Sequence, residues 1–243
     1  MELKLRSETR PEADKVIVNF SGGKDSTVAI LKVLEAYPKE KVILCFQDTG
    51  AEYLETRPVV ETVARLFELP LVILKNKEDF WDLVERWHIF PAPQCRYCTQ
   101  YLKFKPLFRW LRENKELLGQ KIILVSGIRG EESLSRSKLS EWDKPRENLE
   151  GLELIKWYPC LNLKEKEVFE TIKANGLPLN SCYEFSKRCS CWACIFQQKE
   201  AVRIYAEMHS DLYEKACLIE DKIRHKWRAD MALSNLMKQM RLF

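Results

Sequence analysis

The stretch Ser21-Gly22-Gly23-Lys24-Asp25-Ser26-Thr27 combines the groups that proteins use to bind phosphate. It follows an apolar run over residues 16–20 and precedes a helical pattern that begins near Val28. Glycine lets the backbone approach a ligand closely, and the first N–H groups of a helix have no partners within the helix. The lysine adds a cation, and the serine and threonine hydroxyls add donors. The stretch therefore predicts a phosphate site at a strand–turn–helix corner, although its spacing is not that of a Walker A motif.

The elements that position this corner alternate along the chain. Apolar runs at 16–20, 42–46, 71–74, 121–126 and 152–158 are separated by helical patterns, typical of an α/β fold with a doubly wound, mostly parallel sheet. Pro58 is expected in the first turn of a helix over residues 53–69, and a single helix is expected over 102–118. Asn162 and Glu165 resemble a capping box for a helix that ends at Asn175-Gly176.

The chain is expected to divide into two parts. Residues 1–180 would form the nucleotide-binding α/β domain, with a cysteine pair inserted near 95–98. Residues 181–243 would carry a second cysteine cluster and a helical subdomain, because the pattern is helical from residue 197 onward apart from a break near Ser210-Asp211. The polar stretch 134–150 predicts a mobile loop, either a lid over the site or a plain surface connection.

Polar residues follow two more strands at the edge where the glycine stretch lies. Asp48-Thr49-Gly50 ends the second strand, and Asp48 would bind Mg²⁺ or a ribose hydroxyl unless the segment only caps the next helix. Gly127 and Arg129 end the fourth long strand, and Arg136 follows in the loop. These arginines would hold phosphate or sulfate, or else pair with neighbouring glutamates at the surface.

Four of the nine cysteines have the spacing of metal ligands. Cys95 and Cys98 form one C-x-x-C unit, and Cys191 and Cys194 form another, with Cys182 and Cys189 as alternative ligands. Two such units favour a [4Fe-4S] cluster or structural Zn²⁺ over reduced thiols in a core. The remaining three cysteines are expected to pack in the core; they are Cys45, Cys160 and Cys217. The same role is expected for four aromatic residues in the tail, which are Trp192, Phe196, Tyr205 and Trp227.

Composition describes a water-soluble globular protein with weak charge bias. The net charge is +4, 46% of residues are hydrophobic and 31% are charged. The sequence begins without the apolar segment of a signal peptide, and no apolar run is long enough to span a bilayer, so a cytoplasmic location is expected. The charge permits contact with nucleic acid without indicating it.

Residues 15–195 resemble the phosphoadenosine phosphosulfate reductase family of the PP-loop ATP pyrophosphatase superfamily, which has a Rossmann-like fold of the HUP type. The resemblance rests on the glycine stretch, on Asp48-Thr49-Gly50 with Glu55-Thr56, and on Gly127-Ile128-Arg129 with Glu132-Ser133 and Arg136. It extends to Pro159 with Val168, to Cys98 with Lys103 and Pro106, and to Cys191-Trp192-Ala193-Cys194.

The resemblance implies an adenine-nucleotide site. Lys24, Asp25, Asp48 and Arg129 would be catalytic, and the nucleotide would contact residues 21–27 and 48–50 together with Gly127, Arg129 and Arg136. ATP, Mg²⁺ and a [4Fe-4S] cluster on Cys95, Cys98, Cys191 and Cys194 are the implied cofactors. Relatives often form homodimers, and a sulfur donor is implied as a partner.

Two departures from the reductases decide which reaction is favoured. Arg96 and Tyr97 separate the first two cysteines, which are usually adjacent, and the printed sequence ends at Phe243 without the catalytic cysteine that reductases carry near the C-terminus. An ATP-dependent sulfurtransferase is therefore expected, with a tRNA base, a DNA backbone or a small molecule as acceptor. The alternatives are a sulfonucleotide reductase, in which Cys182 or Cys189 substitutes as nucleophile, and a non-catalytic nucleotide-binding subunit.

Overall fold

The structure, a computed structural model, describes residues 10–145 and 149–237. Within these ranges six strands form one sheet in the order β3-β2-β1-β4-β6-β5, and every pair is parallel except β5 with β6. The α/β fold with a mostly parallel sheet is thus confirmed. The strands are β1 (Lys15–Asn19), β2 (Val42–Asp48), β3 (Leu71–Lys75), β4 (Lys121–Ser126), β5 (Trp142–Asp143) and β6 (Glu153–Trp157).

Helices cover the sheet and form the C-terminal region. A π-helical turn over Gln100–Phe104 joins α4 to α5. The helices are α1 (Lys24–Ala36), α2 (Thr56–Leu66), α3 (Phe80–Trp87), α4 (Tyr97–Thr99), α5 (Lys105–Glu113), α6 (Lys115–Leu118), α7 (Glu165–Ala174), α8 (Lys199–Met208), α9 (Ser210–Ile223) and α10 (Leu233–Leu236). None of those in the described ranges is long and apolar enough to cross a membrane.

Strand β1 lies at the centre of the sheet and is buried on both faces. Val16 and Val18 belong to one apolar cluster and Ile17 to another, because successive side chains of a strand point to opposite faces. Ile17 pairs with Ile43 of β2 on one side and with Leu124 of β4 on the other. The sheet order changes direction between β1 and β4, which is where open α/β sheets bind ligands.

A third apolar cluster holds the C-terminal helices. It joins residues 51–102 to residues from 182 onward, and Trp227 at its centre donates from Nε1 to the carbonyl of Ala193 at 2.7 Å. The predicted helical C-terminal region is confirmed, with the break between α8 and α9 at His209. The proposed domain boundary at residues 180 and 181 stays a prediction, and residues 1–9 and 238–243 lie outside the described part.

Three local predictions differ from the structure. Helix α7 begins at Glu165 rather than after Asn162, because residues 158–163 form two turns and the N–H of Lys164 donates to the Glu167 carboxylate at 2.6 Å. The helix expected over 102–118 is divided at Asn114, whose side chain donates to the Trp110 carbonyl.

The stretch 134–150 is the third difference. It contributes the short strand β5, whose Trp142 ring stacks on Trp157 with centroids 4.9 Å apart. The polar composition of this segment predicts irregular structure throughout, but packing between the two tryptophans holds its middle against the sheet. Residues 146–148 of that segment lie outside the described ranges.

Candidate functional site

A cavity of about 720 Å³ opens at the carboxyl ends of β1 and β4. The glycine stretch forms one wall, the segment after β4 forms a second, and the segment around Cys189 forms a third. Its volume is in the range typical of small-molecule sites. The lining residues are Ser21, Gly23, Lys24, Asp25, Ser26, Phe46, Gln47, Glu52, Thr56, Arg96, Lys103, Gly127, Ile128, Arg129, Glu131, Glu132, Arg136, Glu165, Tyr183, Lys187, Arg188, Cys189, Ser190 and Cys191.

Three hydroxyl groups form hydrogen bonds with the backbone of the glycine loop. The side chains of Ser26 and Thr27 donate to the Gly23 carbonyl at 2.9 and 3.1 Å, and the backbone N–H of Lys24 donates to Tyr183 Oη at 2.9 Å. Gly22 has a backbone φ of +72°, a value that residues other than glycine rarely adopt. Gly22 and Thr27 do not line the cavity, so they shape the loop, while Ser21, Gly23, Lys24, Asp25 and Ser26 face the space.

Gly127 allows the segment after β4 to approach this loop. A Cβ placed on Gly127 would lie 2.5 Å from the backbone of Asp25 and Ser26. Only a glycine fits that gap without moving the first turn of α1. The backbone contact therefore fixes the position of Arg129 relative to Lys24.

Lys24 and Arg129 lie buried among carboxylates. Their side chains are 3% and 4% exposed, and Arg129 Nε donates to Asp25 Oδ1 at 2.5 Å. Glu165 Oε1 lies 3.2 Å from Lys24 Nζ and 3.6 Å from an Arg129 Nη, while Glu131 also accepts from Arg129. Burial opposes the charge on Arg129, but Asp25 and Glu131 outweigh it, so the pKa of Arg129 is raised above its ordinary value. Arg129 therefore stays charged, and both side chains line the cavity.

Arg136 belongs to the same wall. It lines the cavity and pairs with the carboxylate of Glu132 one turn earlier. Of the residues predicted after β4, the structure thus brings Gly127, Arg129 and Arg136 to the cavity.

The segment after β2 takes a different position. Asp48 accepts from the Gly50 N–H at 3.1 Å, and Thr49 donates from its hydroxyl to Glu52 at 2.6 Å. Asp48, Thr49 and Gly50 do not line the cavity, whereas Glu52 does. The turn that follows β2 therefore presents Glu52 to the site. Glu52 carries no motif signal in the sequence, and only its pairing with Cys191 across a β-bridge reveals it.

The cysteines form two groups around this wall. The thiols of Cys98, Cys191 and Cys194 lie near the half-buried side chain of Lys103, and burial raises the pKa of Cys191 to about 12, with Glu52 adding to the shift. Burial and the neighbouring Cys194 raise the pKa of Cys98. Cys95 is exposed at a turn closed by Ala92. Within residues 10–145 and 149–237, no three His, Cys, Asp or Glu side chains lie close enough together to hold a metal ion.

Cys182 and Cys189 make up the second group. The Cys182 thiol is fully buried and donates a hydrogen bond to Cys189, which lowers the pKa of Cys189 and raises that of Cys182. Cys189 lines the cavity, and its Sγ lies 3.8 Å from Thr56 Oγ1. A hydrogen-bonded thiol pair therefore lies beside the glycine loop, on the wall opposite Arg129.

Comparison with known proteins identifies the family. Residues 15–196 match the family model of the phosphoadenosine phosphosulfate reductase domain. The chain belongs to this family. The resemblance seen in the motifs is thereby confirmed, and the family places the glycine stretch in the PP-loop superfamily.

Relatives in sequence come from an archaeon and a bacteriophage. Two uncharacterized proteins of Methanocaldococcus jannaschii are 30% and 32% identical over 81% and 74% of this chain. A protein of Escherichia phage 186 is 28% identical over 81% of this chain and 72% of its own length. The chain spans only 45% and 36% of the lengths of the two archaeal relatives.

Two solved structures share the fold of this PP-loop protein. Phosphoadenylyl-sulfate reductase from Candida auris, in a phosphate complex, has a TM-score of 0.55 and 20% identity, covering 78% of this chain and 85% of its own. The U34-tRNA thiolase NcsA from Methanococcus maripaludis, which carries a [4Fe-4S] cluster, has a TM-score of 0.51 and 15% identity, covering 98% and 76%. At these identities the likeness is one of fold.

Proposed function

We propose that this PP-loop protein is a cytoplasmic enzyme that binds ATP, transfers its adenylyl group to an oxygen of an acceptor and assists the replacement of that oxygen by sulfur. The acceptor oxygen would attack the α-phosphorus of ATP, the bond to the β-phosphate would break, and pyrophosphate would leave. A sulfur nucleophile at the oxidation level of sulfide would then displace AMP. The observation that carries this proposal is that the PP-loop, two buried cations and cysteines line the same cavity.

The phosphates would lie against the glycine loop. Lys24 and Arg129 approach from two walls that meet at Glu165 and would stabilise the charge that develops on departing pyrophosphate. Asp25 lines the cavity and would help hold Mg²⁺ once bound phosphate replaced it as the partner of Lys24 and Arg129. Asp48 would contribute only after its turn rearranged.

The thiols near Lys103 have the chemistry of iron–sulfur ligands. Cys98, Cys191 and Cys194 are soft donors near the cation of Lys103, which would balance the negative charge of a thiolate-bound cluster. Cys95 would be the fourth ligand, and Cys182 or Cys189 the alternative. As the described residues stand, these thiols are not close enough together to hold a metal ion, so binding would require them to approach one another. When bound, such a cluster supplies Lewis-acidic iron that binds sulfur ligands. Zinc would serve structure alone.

A sulfonucleotide reductase is the second candidate, and one observation favours it. Cys189 lines the cavity and accepts a hydrogen bond from Cys182, which makes its sulfur a nucleophile within the site. Cys189 would attack the sulfur of a bound sulfonucleotide and release the nucleotide as a phosphate. A second thiol, from Cys182 or from an external reductant, would then release sulfite and leave a disulfide.

The experiment that separates these functions measures products from anaerobically prepared protein. Pyrophosphate and AMP released from ATP in the presence of sulfide and a nucleic-acid or small-molecule acceptor support the sulfurtransferase. Thiol-dependent sulfite release that is lost in Cys189→Ser supports the reductase, and binding without turnover supports a non-catalytic subunit. Lys24→Ala should abolish pyrophosphate release, whereas the control Lys32→Ala, on the same helix and outside the cavity, should not.

The metal has its own test. A brown protein that bleaches in the Cys191→Ser/Cys194→Ser double variant establishes the cluster. A colourless preparation that contains zinc rejects it in favour of a structural site.

A further inference from the structure

The cations that line the cavity differ in whether carboxylates neutralise them. Lys24 and Arg129 are buried and paired with Asp25 and Glu165. Arg96, Lys187 and Arg188 are exposed on the wall that carries the cysteines, and within the described ranges no carboxylate lies within ion-pair distance of them. A set of unneutralised cations at a cavity mouth attracts an anion.

Phe196 lies next to these cations with its ring in solvent. The ring is 41% exposed, and the guanidinium carbon of Arg96 lies 5.6 Å from the ring centroid. The sequence predicts a core role for Phe196, which is wrong, whereas Trp192, Tyr205 and Trp227 are buried as expected.

The turn after Cys194 explains the exposure of Phe196. The N–H of Gln197 donates to the Cys194 carbonyl at 2.8 Å, and the Gln197 side chain is 1% exposed and donates to Tyr53 Oη at 2.7 Å. The inward position of the turn is therefore taken by a hydrogen-bonded amide, and the neighbouring phenyl ring points outward.

We propose that Arg96, Lys187, Arg188 and Phe196 form the acceptor subsite of this enzyme, and that they bind a single strand of nucleic acid. The guanidinium and ammonium groups would hold backbone phosphates, and the ring of Phe196, supported by Arg96, would stack on a base. This inference rests on the proposed function and names the acceptor that the function leaves open.

The side chains of the subsite suit a nucleic-acid strand as ligand better than a small nucleotide. Strand-binding proteins combine a cationic groove, which follows the phosphates, with aromatic rings that stack on bases. Arg96, Lys187 and Arg188 are exposed and line the cavity, and Phe196 is exposed beside Arg96, so a ligand that contacts all four extends into solvent. A small nucleotide would be held deeper, by Lys24 and Arg129.

The cations of the subsite lie next to the cysteines in the sequence and on the cavity wall. Lys187 and Arg188 precede Cys189 and Cys191 on one continuous stretch of the cavity wall, and Arg96 lies between Cys95 and Cys98. A phosphate held by these cations would thus lie next to the thiols, and the adjoining nucleotide would reach toward the glycine loop.

The test is a binding titration without ATP, using the full chain prepared anaerobically. Three probes of one fluorescent design are compared by anisotropy, namely an unmodified tRNA transcript, a 20-nucleotide single-stranded DNA and a 20-base-pair DNA duplex. Lys187→Ala/Arg188→Ala should weaken single-strand binding at least tenfold and reduce the slope of log affinity against log salt by about 0.7 for each phosphate that the protein no longer neutralises. Phe196→Leu, which keeps an apolar side chain, should weaken it about tenfold with the salt slope unchanged, and Phe196→Trp should restore binding.

Arg112→Ala/Lys115→Ala is the matched control. It removes two exposed positive charges on α5 and α6 that do not line the cavity, and it should leave the affinity within twofold. Preference for the tRNA transcript identifies RNA as the source of the strand, and preference for single-stranded DNA identifies DNA.

The proposal is overturned if none of the probes binds, if the DNA duplex binds as tightly as the single-stranded DNA and the tRNA transcript, or if the subsite variants bind like the control. Because ATP is absent from the titration, a failure of the subsite is distinguishable from a failure of adenylation. The latter would appear as strand binding without pyrophosphate release.

Discussion

Lys24 Nζ lies 3.2 Å from Glu165 Oε1, and the same carboxylate oxygen lies 3.6 Å from the guanidinium of Arg129. One oxygen from the start of α7 thus contacts both cations that are proposed to bind the nucleotide phosphates. Glu165 is half exposed, whereas the two cations are buried. If the two cations bind phosphate as proposed, the carboxylate lies where a phosphate oxygen would bind and would compete with it.

Replacing Glu165 should strengthen nucleotide binding. Glu165→Gln removes the competing charge and keeps the shape of the side chain, and since partly exposed ion pairs contribute up to about 1 kcal/mol, we expect up to about fivefold tighter binding of ATP or pyrophosphate. Isothermal titration calorimetry measures the difference. Glu170→Gln, an exposed position on the same helix, is the control and should bind like the parent protein. Weaker binding by Glu165→Gln would show that the carboxylate supports the site.

Gly127 should tolerate no side chain. The added Cβ of Gly127→Ala would meet the backbone of Asp25 and Ser26 at 2.5 Å, so we expect a loss of about 1–3 kcal/mol in the free energy of unfolding together with weaker nucleotide binding. Urea unfolding and ATP titration test both effects. Gly176→Ala meets open space at a positive φ and should cost only about 1 kcal/mol. Equal costs in the two variants would rule out the close approach.

Glu220 should anchor the C-terminal helices. Its buried carboxylate accepts backbone N–H groups from Trp227 at 2.6 Å, from Leu233 at 2.9 Å and from Ser234 at 3.2 Å. Glu220→Ala leaves these donors without a partner, and we expect the free energy of unfolding to fall by about 3 kcal/mol. Glu214→Ala, exposed on the same helix, should change it by less than about 0.5 kcal/mol. Thermal and urea unfolding provide the measurement.

Stability should fall at alkaline pH because of buried thiols. Burial raises the pKa of Cys160 to about 12 and raises that of Cys45, whereas a thiol in the unfolded chain ionises near 9. The unfolded state alone therefore releases these protons as the pH rises. The stabilisation is fully present below about pH 9 and decreases above it by up to about 1.4 kcal/mol per pH unit for each thiol.

Urea unfolding between pH 8 and pH 10, with a reductant present, tests this dependence. Cys160→Val removes one ionisable group and should make the pH slope shallower, whatever its effect on stability at pH 8. An unchanged slope would show that Cys160 ionises in the folded protein as readily as in the unfolded chain.

The sequence determined the fold class and the strand–turn–helix corner that is proposed to bind phosphate. Alternating apolar runs and helical patterns specify a parallel sheet, because a strand buried on both faces must be apolar along its length, as β1 is at Val16, Ile17 and Val18. The glycine stretch specifies a strand–turn–helix corner through local backbone chemistry alone. Lys24 and Arg129 lie near each other because β1 and β4, the strands they follow, end at the same edge of the sheet.

Only the tertiary structure decided which side chains meet at that edge. Glu165, Tyr183 and Glu52 reach the cavity through the packing of α7, of the turn near residue 182 and of the bridge to Cys191. The local sequence marks Glu165 only as part of a capping box and does not mark the other two. Asp48 is directed elsewhere by its own turn, and Phe196 is exposed because Gln197 takes the buried position. Motif spacing reports local geometry, whereas side-chain orientation depends on which neighbour satisfies its hydrogen bonds in the folded core.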